Sequence, residues 1–340
     1  MQRVLDPGQI EAFATQRVIP RVRLPDIRSV FSDRARRLRH LSAGHAVGDY
    51  LRLMASLVEA QQEALQTHFL TGTAATEHAR TVAGMPLLQA TAWPRADTWR
   101  MILLQLCDRI STATGFPPPV SAICRRLQQQ PAAELDRQAD RLLADNTGIA
   151  DVADTDRIDG IDGINGINGT DGIDAVANID AQAAPFIMAA LQVYWTGMAA
   201  SLNPDDIAAL VSVTDIPGVC PVCGTPPVAS IVRAEKAYQG YRYLQCALCA
   251  TEWHLVRIKC SHCQSTEGIH YHSIEGGSRA ILAEACDSCR TYRKICYQEH
   301  DMAVEPLADD LASLALDLLM SEAGFHRGSG NPLLWQAAAP

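Results

Sequence analysis

The sequence predicts an α+β protein with a helical N-terminal domain, two small tandem metal modules and a C-terminal helix. Apolar residues recur at helical spacing between Val47 and Leu202. Four CxxC pairs follow between Cys220 and Cys289, set among apolar runs of strand length, and a leucine-rich stretch begins after Pro306. The 340 residues suit roughly two domains, and a composition of 48% hydrophobic and 20% charged residues supplies ample material for a core. A wholly disordered or fibrous chain is excluded. No stretch reaches the ~20 apolar residues of a membrane span, and the residues around Asp6, Pro7, Gln9 and Glu11 lack the apolar run of a signal peptide. The expected location is therefore cytoplasmic, without membrane insertion.

The elements follow in chain order. Residues 1–45 form a basic arm, with nine arginines from Arg3 to Arg39 against Asp6, Glu11, Asp26 and Asp33. Pro7, Pro20 and Pro25 break up a helix there, so the arm should be partly extended and end in a short helix. The helical domain spans 46–205. Its clearest helix places Val47, Tyr50, Leu51, Met54, Leu57, Val58, Leu65 and Phe69 on one face. Further helices are expected over 96–107, with Asp97 as a cap after Pro94, then over 119–129 and 132–143, split by Pro131, and over 186–202.

An insertion at 146–181 interrupts this domain. It holds eight Asp and one Arg, and its tract IDGIDGINGINGTDGIDA places Gly160, Gly163, Gly166, Gly169 and Gly172 three apart. Collagen would need proline and many more triplets. A calcium loop fails as well, because after Asp154 and Asp156 comes Ile158 where a third oxygen ligand belongs, and Asn165 where the bidentate Glu belongs. The tract reads as a flexible acidic insertion grown by triplet duplication.

The cysteines dominate the rest. Cys220, Cys223, Cys246 and Cys249 define a first module at 206–256, and Cys260, Cys263, Cys286 and Cys289 a second at 257–300. Each cysteine of the first set recurs 40 residues later in the second, so one unit is written twice. A CxxC at a tight turn aims two sulfurs one way, and two such turns joined by strands set four sulfurs at the corners of a tetrahedron. That is the ligand set of zinc or iron in a zinc-ribbon-like module. Strands are expected over 230–234 and 241–245 around Gly240, and over 270–274 and 280–285 around Gly276 and Gly277. Modules this small need metal binding to supply much of their folding free energy.

Other uses of the cysteines fit less well. Disulfides suit neither the expected compartment nor the repeat. A thioredoxin-type motif wants a helix after the CxxC, whereas Cys223 runs into Gly224, Pro226 and Pro227. A shared iron–sulfur cluster stands behind two separate mononuclear sites. Cys107, Cys124 and Cys296 have no partner in the pattern; the first two read as inert core thiols, while Cys296, in an expected strand over 293–297, is left open. His254, His262, His270 and His272 lie near the modules, but four thiolates already complete each site. G-x-S-x-G, Walker and H-E-x-x-H patterns are missing, and no acid, base or nucleophile constellation is visible, so an enzyme is not expected.

Residues 301–340 form a C-terminal helix and tail, with Leu307, Leu311, Leu314, Leu318 and Leu319 on one face and Gly324 as its stop.

Taken together, these residues resemble the formate dehydrogenase accessory protein FdhE family. The likeness rests on CPVCG at Cys220 to Gly224, RYLQCALCATEWHLVRIKCSHC from Arg242 to Cys263, and the four CxxC pairs in order. It extends to LRLMASLVEAQ from Leu51, to Trp93, Pro94 and Trp99, and to DLASLALDLLMSEAGF from Asp310 to Phe325; the insertion at 146–181 departs from the family pattern. The resemblance implies two tandem rubredoxin-like modules with the eight cysteines as ligands of iron, about two per chain, zinc being the alternative. It also implies a non-catalytic cytoplasmic factor that binds the catalytic subunit of respiratory molybdenum-containing formate dehydrogenase before export.

Two other functions are compatible with the residues alone. A rubredoxin-like electron carrier would use the same sites but leaves the helical domain unexplained. A zinc-ribbon nucleic-acid module is opposed by charge: the chain carries a net −9, and Lys and Arg barely exceed Asp and Glu between Cys220 and His300.

Overall fold

A computed structural model describes residues 20–69, 86–146, 180–203, 207, 218–235 and 239–334. Most of the acidic insertion and the first half of the basic arm lie outside these residues. The helical region opens with strand β1 (Val22–Arg23), then α1 (Val30–Ser42), α2 (Gly48–Phe69), α3 (Thr98–Thr112), α4 (Pro118–Gln129), α5 (Ala132–Asn146) and α6 (Ala184–Ala200). Each expected helix is present. The edges move by a few residues because periodicity marks the buried face rather than the caps. Asp97 does precede α3, yet its side chain makes no capping bond and pairs instead with Arg100.

The most apolar helix is α6. It is buried almost all round, with Trp195 wholly enclosed, and packs between α2 and α3. Gln61 and Gln192 sit in this core and satisfy each other, Gln61 Nε2 donating to Gln192 Oε1 at 3.0 Å.

Eight strands form one sheet: β1, β2 (Pro227–Val232), β3 (Arg242–Cys246), β4 (Glu252–His254), β5 (Ile269–His272), β6 (Ile281–Cys286), β7 (Thr291–Tyr297) and β8 (His326–Arg327). The order is β1-β4-β3-β2-β7-β6-β5, with β8 continuing along β7. The 40-residue repeat makes β5, β6 and β7 the counterparts of β2, β3 and β4. Tyr243 faces His254 and Ala283 faces Lys294, so the β3–β4 register recurs in β6–β7. The two repeats meet through a parallel pairing, Ser230 opposite Ile295 to Val232 opposite Tyr297. They form one continuous sheet.

The C-terminal stretch differs from the single amphipathic helix expected. It breaks at Ala312 and Ser313 into α7 (Pro306–Leu311) and α8 (Leu314–Glu322). Leu307 and Leu311 are buried, but Leu318 is 68% exposed and Leu319 46% exposed. The break turns the second set of leucines away from the core. Gly324, at φ +76°, follows as the stop expected of it.

Buried ion pairs bind this segment down. Glu305 and Asp309 receive Arg34 and Arg37 of α1, Arg37 gripping Asp309 through two nitrogens. Those arm cations therefore serve the interior. On β7, Lys294 meets Asp310 at 3.2 Å and Asp317 at 2.7 Å, and Arg327 joins the same carboxylates.

Candidate metal centres

Each cysteine pair sits on a tight backbone turn. In the first, the Gly224 amide donates to the Cys220 carbonyl at 2.8 Å, and the Cys220 amide donates to the Thr225 carbonyl at 2.9 Å. The third repeats it, with Gln264 to Cys260 at 3.1 Å and Cys260 to Ser265 at 2.8 Å. The residue after the second cysteine must enter the left-handed region to close the turn. Gly224, Ala250, Gln264 and Arg290 all do, at φ of 77°, 57°, 64° and 56°. Only the first is glycine, the residue that pays no steric penalty there. The turn signal was thus visible once and hidden three times.

The turns bring the sulfurs together as the spacing predicts. Cys220, Cys223, Cys246 and Cys249 form one cluster, and Cys260, Cys263, Cys286 and Cys289 another, with all four sulfurs of each within 4.8 Å of one another. Cys220 to Cys249 is 3.5 Å and Cys223 to Cys246 is 3.3 Å; their counterparts, Cys260 to Cys289 and Cys263 to Cys286, are 3.8 and 3.6 Å. A disulfide needs about 2.05 Å. A tetrahedral thiolate site with bonds of about 2.3 Å places its sulfurs about 3.8 Å apart. Both clusters fit a metal ion.

Electrostatics favour a cation. In the first cluster burial pushes the Cys220 and Cys246 thiols well up, whereas at Cys223 burial is outweighed by hydrogen bonds from Cys220, Cys246 and Cys249, which hold the thiol well below its ordinary range. Amides are aimed at the sulfurs: Cys249 N–H and Leu248 N–H donate to Cys246 Sγ at 3.3 Å, and His262 N–H to Cys260 Sγ at 3.4 Å. At Cys286 burial opposes ionisation, but the Cys289 amide and the Cys263 thiol outweigh it and bring the thiol to about 7. Thr251 Oγ1 lies 3.1 Å from Cys249 Sγ, and Thr291 Oγ1 2.7 Å from Cys289 Sγ. The cysteine pattern does not point to these threonines, although they too stand 40 residues apart.

The two clusters differ in their surroundings. All four cysteines of the first are buried and join the main apolar core. The segment before α3 clamps it, Leu88 N–H donating to the Val222 carbonyl at 2.7 Å and Ala90 N–H to the Cys223 carbonyl at 2.9 Å. From α6, Gln192 Nε2 donates to the Ala247 carbonyl at 2.8 Å. The second cluster is tied instead to the C-terminal segment, His326 N–H donating to the Arg290 carbonyl at 2.7 Å and Arg290 Nη2 to the Ala323 carbonyl at 3.0 Å, and its Cys263 is exposed and Cys289 half-buried.

The remaining candidates fall outside both clusters. Cys107 and Cys124 are buried in the helical core, and Cys296 is buried on β7, where burial pushes its thiol well up. His254 packs edge-on to Tyr241 and Tyr243, His270 pairs with Asp287 at 2.8 Å, and His272 faces Phe325. Among the described residues, no histidine joins a metal-ligating group. No described helix is long and apolar enough to cross a membrane.

Comparison with known proteins agrees with this architecture. Family models described as FdhE, N-terminal, FdhE, central domain, and FdhE, C-terminal domain match residues 19–155, 219–257 and 258–334. The chain is 38% identical to a Protein FdhE homolog of Cronobacter sakazakii over 336 residues, 98% of this chain and 97% of that one. It is 37% identical to Protein FdhE of Salmonella paratyphi A over 323 residues, 94% and 93% of the two chains. The crystal structure of the FdhE protein from Pseudomonas aeruginosa superposes with a TM-score of 0.72 at 33% identity, covering 93% of this chain and 98% of that one. On sequence and fold alike, the chain belongs to the FdhE family.

Proposed function

We propose that this protein is an accessory factor for respiratory molybdenum-containing formate dehydrogenase, holding the catalytic subunit in the cytoplasm before export and doing no catalysis itself. The observation that carries the reading is the pair of tetrathiolate clusters built into one sheet and braced, at the first cluster, by the helical domain. Cys220, Cys223, Cys246 and Cys249 hold one ion and Cys260, Cys263, Cys286 and Cys289 the other. When bound, iron at such a site supplies a one-electron couple, and zinc a purely structural tie. The chain itself positions the eight sulfurs, directs amides at them and keeps water from the first set. The metal in this reading is iron, about two per chain, with zinc as the alternative, since four thiolates suit both.

The test is elemental analysis and visible absorption of protein purified without air, alongside binding to the formate dehydrogenase catalytic subunit. About two irons per chain with thiolate charge-transfer bands, and a stable complex, are expected. About two zincs in colourless protein would make both sites structural ties. Absence of both metals, or absence of the complex, would refute the reading.

A further inference from the structure

The second repeat departs from the first at one cross-strand position. In the first module Leu244 on β3 faces Trp253 on β4, both fully buried in the core that encloses the first cluster. Forty residues on, the same register position holds Glu284 on β6 facing Arg293 on β7, and these are buried as well. A further exchange goes with this one: Pro221, inside the first CxxC, has Ser261 as its counterpart. The Ser261 hydroxyl accepts from Arg293 Nε at 2.9 Å. An apolar pair at the first cluster is thus a charged pair at the second.

The charges there do not cancel. Glu284 Oε1 lies 2.7 Å from Arg242 Nη2, in a guanidinium that is wholly enclosed. Arg293, 5% exposed, bonds neutral oxygens: Ser261 Oγ, Ser329 Oγ at 2.6 Å and the Pro227 carbonyl. Two buried guanidiniums therefore share one carboxylate. Around them Lys294 and Arg327 are matched by Asp310 and Asp317, and Arg290 by Asp287, so an excess of one positive charge stays with Arg242, Glu284 and Arg293. Burial, with Arg242 and Arg327 adding to it, pushes the Arg293 guanidinium down to about 9, as expected of an enclosed cation short of an anion. Such a charge is costly to bury unless something negative lies close. What lies close is the second cluster: Arg293, Ser261, Cys260 and Cys286 line one void of about 10 Å³, the size of a single water.

We infer that Arg293 is the built-in counter-charge of the second metal centre. Four thiols that release their protons to solvent on taking up a divalent ion leave the site doubly negative, against neutral when empty, so a fixed positive charge beside them favours the filled site. At the matching place the first centre has Trp253. Two centres with the same ligands thus differ in their electrostatics. Where the ion is iron, the ferrous site is one charge more negative than the ferric, and Arg293 raises its reduction potential. The inference rests on the clusters holding metal and needs no partner protein.

Zinc competition with a chelator on the full chain, read by alkylation of Cys260, Cys263, Cys286 and Cys289, tests this, with the first four cysteines reporting on the fold. Arg293→Gln keeps a hydrogen-bonding side chain but drops the charge, and should lower second-site affinity about tenfold. Arg293→Lys should retain most of it. Glu284→Gln removes the opposing charge and should raise the affinity, the reverse of what losing a purely structural contact would do. In the iron-loaded chain, where reduction adds a single charge, Arg293→Gln should shift the second-site equilibrium about threefold toward ferric, about 30 mV at 59 mV per tenfold. Equal losses from Arg293→Gln and Arg293→Lys, a fall with Glu284→Gln, or an affinity indifferent to Arg293→Gln overturns the inference and leaves the metal reading standing. Should Arg293→Gln expose the first four cysteines too, Arg293→Lys and Glu284→Gln decide alone. A second cluster that takes no zinc in the unaltered chain removes the metal reading with it.

Discussion

Gln264 and Arg290 occupy the same place in the two turns of the second cluster, both left-handed, yet replacing each with glycine should have opposite effects on metal affinity. The left-handed conformation costs an ordinary residue about 1–2 kcal/mol. Glycine removes that strain but adds unfolded-state freedom of about 0.4–1 kcal/mol. Gln264→Gly therefore gains about 0.5–1 kcal/mol, since the Gln264 side chain is exposed. Arg290 is different. Its guanidinium lies 3.9 Å from the centre of the Phe325 ring, and Nη2 donates to the Ala323 carbonyl at 3.0 Å. Losing the ring contact costs about 0.5–1 kcal/mol and the hydrogen bond about 1 kcal/mol, which cancels or exceeds the relief. Because the turn closes around the ion, these differences pass into binding. Chelator competition with zinc, read by alkylation of Cys260, Cys263, Cys286 and Cys289, should show affinity rising about two- to fivefold for Gln264→Gly. Arg290→Gly should show no gain or a fall. A weaker Gln264→Gly site, or equal gains from both, would refute the argument.

Chelation of the unaltered chain should strip the second cluster first, because Cys263 is exposed and the first four cysteines are buried; mass mapping of alkylated cysteines reads the order. Arg37→Ala should destabilise the fold by about 3–5 kcal/mol in denaturant unfolding, since it strands the buried carboxylate of Asp309. Burial raises the Asp309 pKa even with Arg37 present, so its folded form binds a proton more readily than the unfolded chain does. The deficit of Arg37→Ala should therefore shrink as the pH falls and that carboxyl is neutralised. Asp310 has the opposite sign: burial opposes its charge, but Arg327 and Lys294 win and hold it at about 2. Its contribution should be complete above the unfolded value near 4 and be lost as the pH falls through about 2, as followed by acid unfolding. Gly197→Ala should cost about 1–3 kcal/mol by thermal unfolding, because a Cβ there would collide with the Phe69 ring.

What could be read in the sequence follows from the physics of each signal. Helices α2 to α6 announce themselves because a buried stripe must recur every three or four residues, and the cysteine clusters because a tetrahedral ion fixes the spacing of its ligands. The α7–α8 break escaped because Leu307 to Leu319 satisfies helical periodicity whether or not the helix is continuous. Only the buried carboxylates of Asp309 and Asp310, tied to Arg37 and Arg327, anchor the first half and let the second turn away. The role of Arg34 and Arg37 escaped for a related reason. Charge composition counts cations but does not say which of them find a carboxylate some 270 positions away.

The sheet holds the most consequential case. A repeat of 40 residues shows that one unit occurs twice, but it is silent on how the copies meet. Two identical units can join face to face, which closes the structure, or head to tail, which leaves unlike ends. The parallel contact of β2 with β7 selects the second arrangement. Head-to-tail joints grow without limit unless an end is blocked, and here residues from the other end of the chain block it, β1 covering β4. Val22 and Arg23 of the basic arm therefore cover the outer side of the first module. Among the described residues the sheet ends in β1 on one side and in β5 on the other, and β5, whose Ile269 faces Cys286, lies beside the more exposed of the two cysteine clusters.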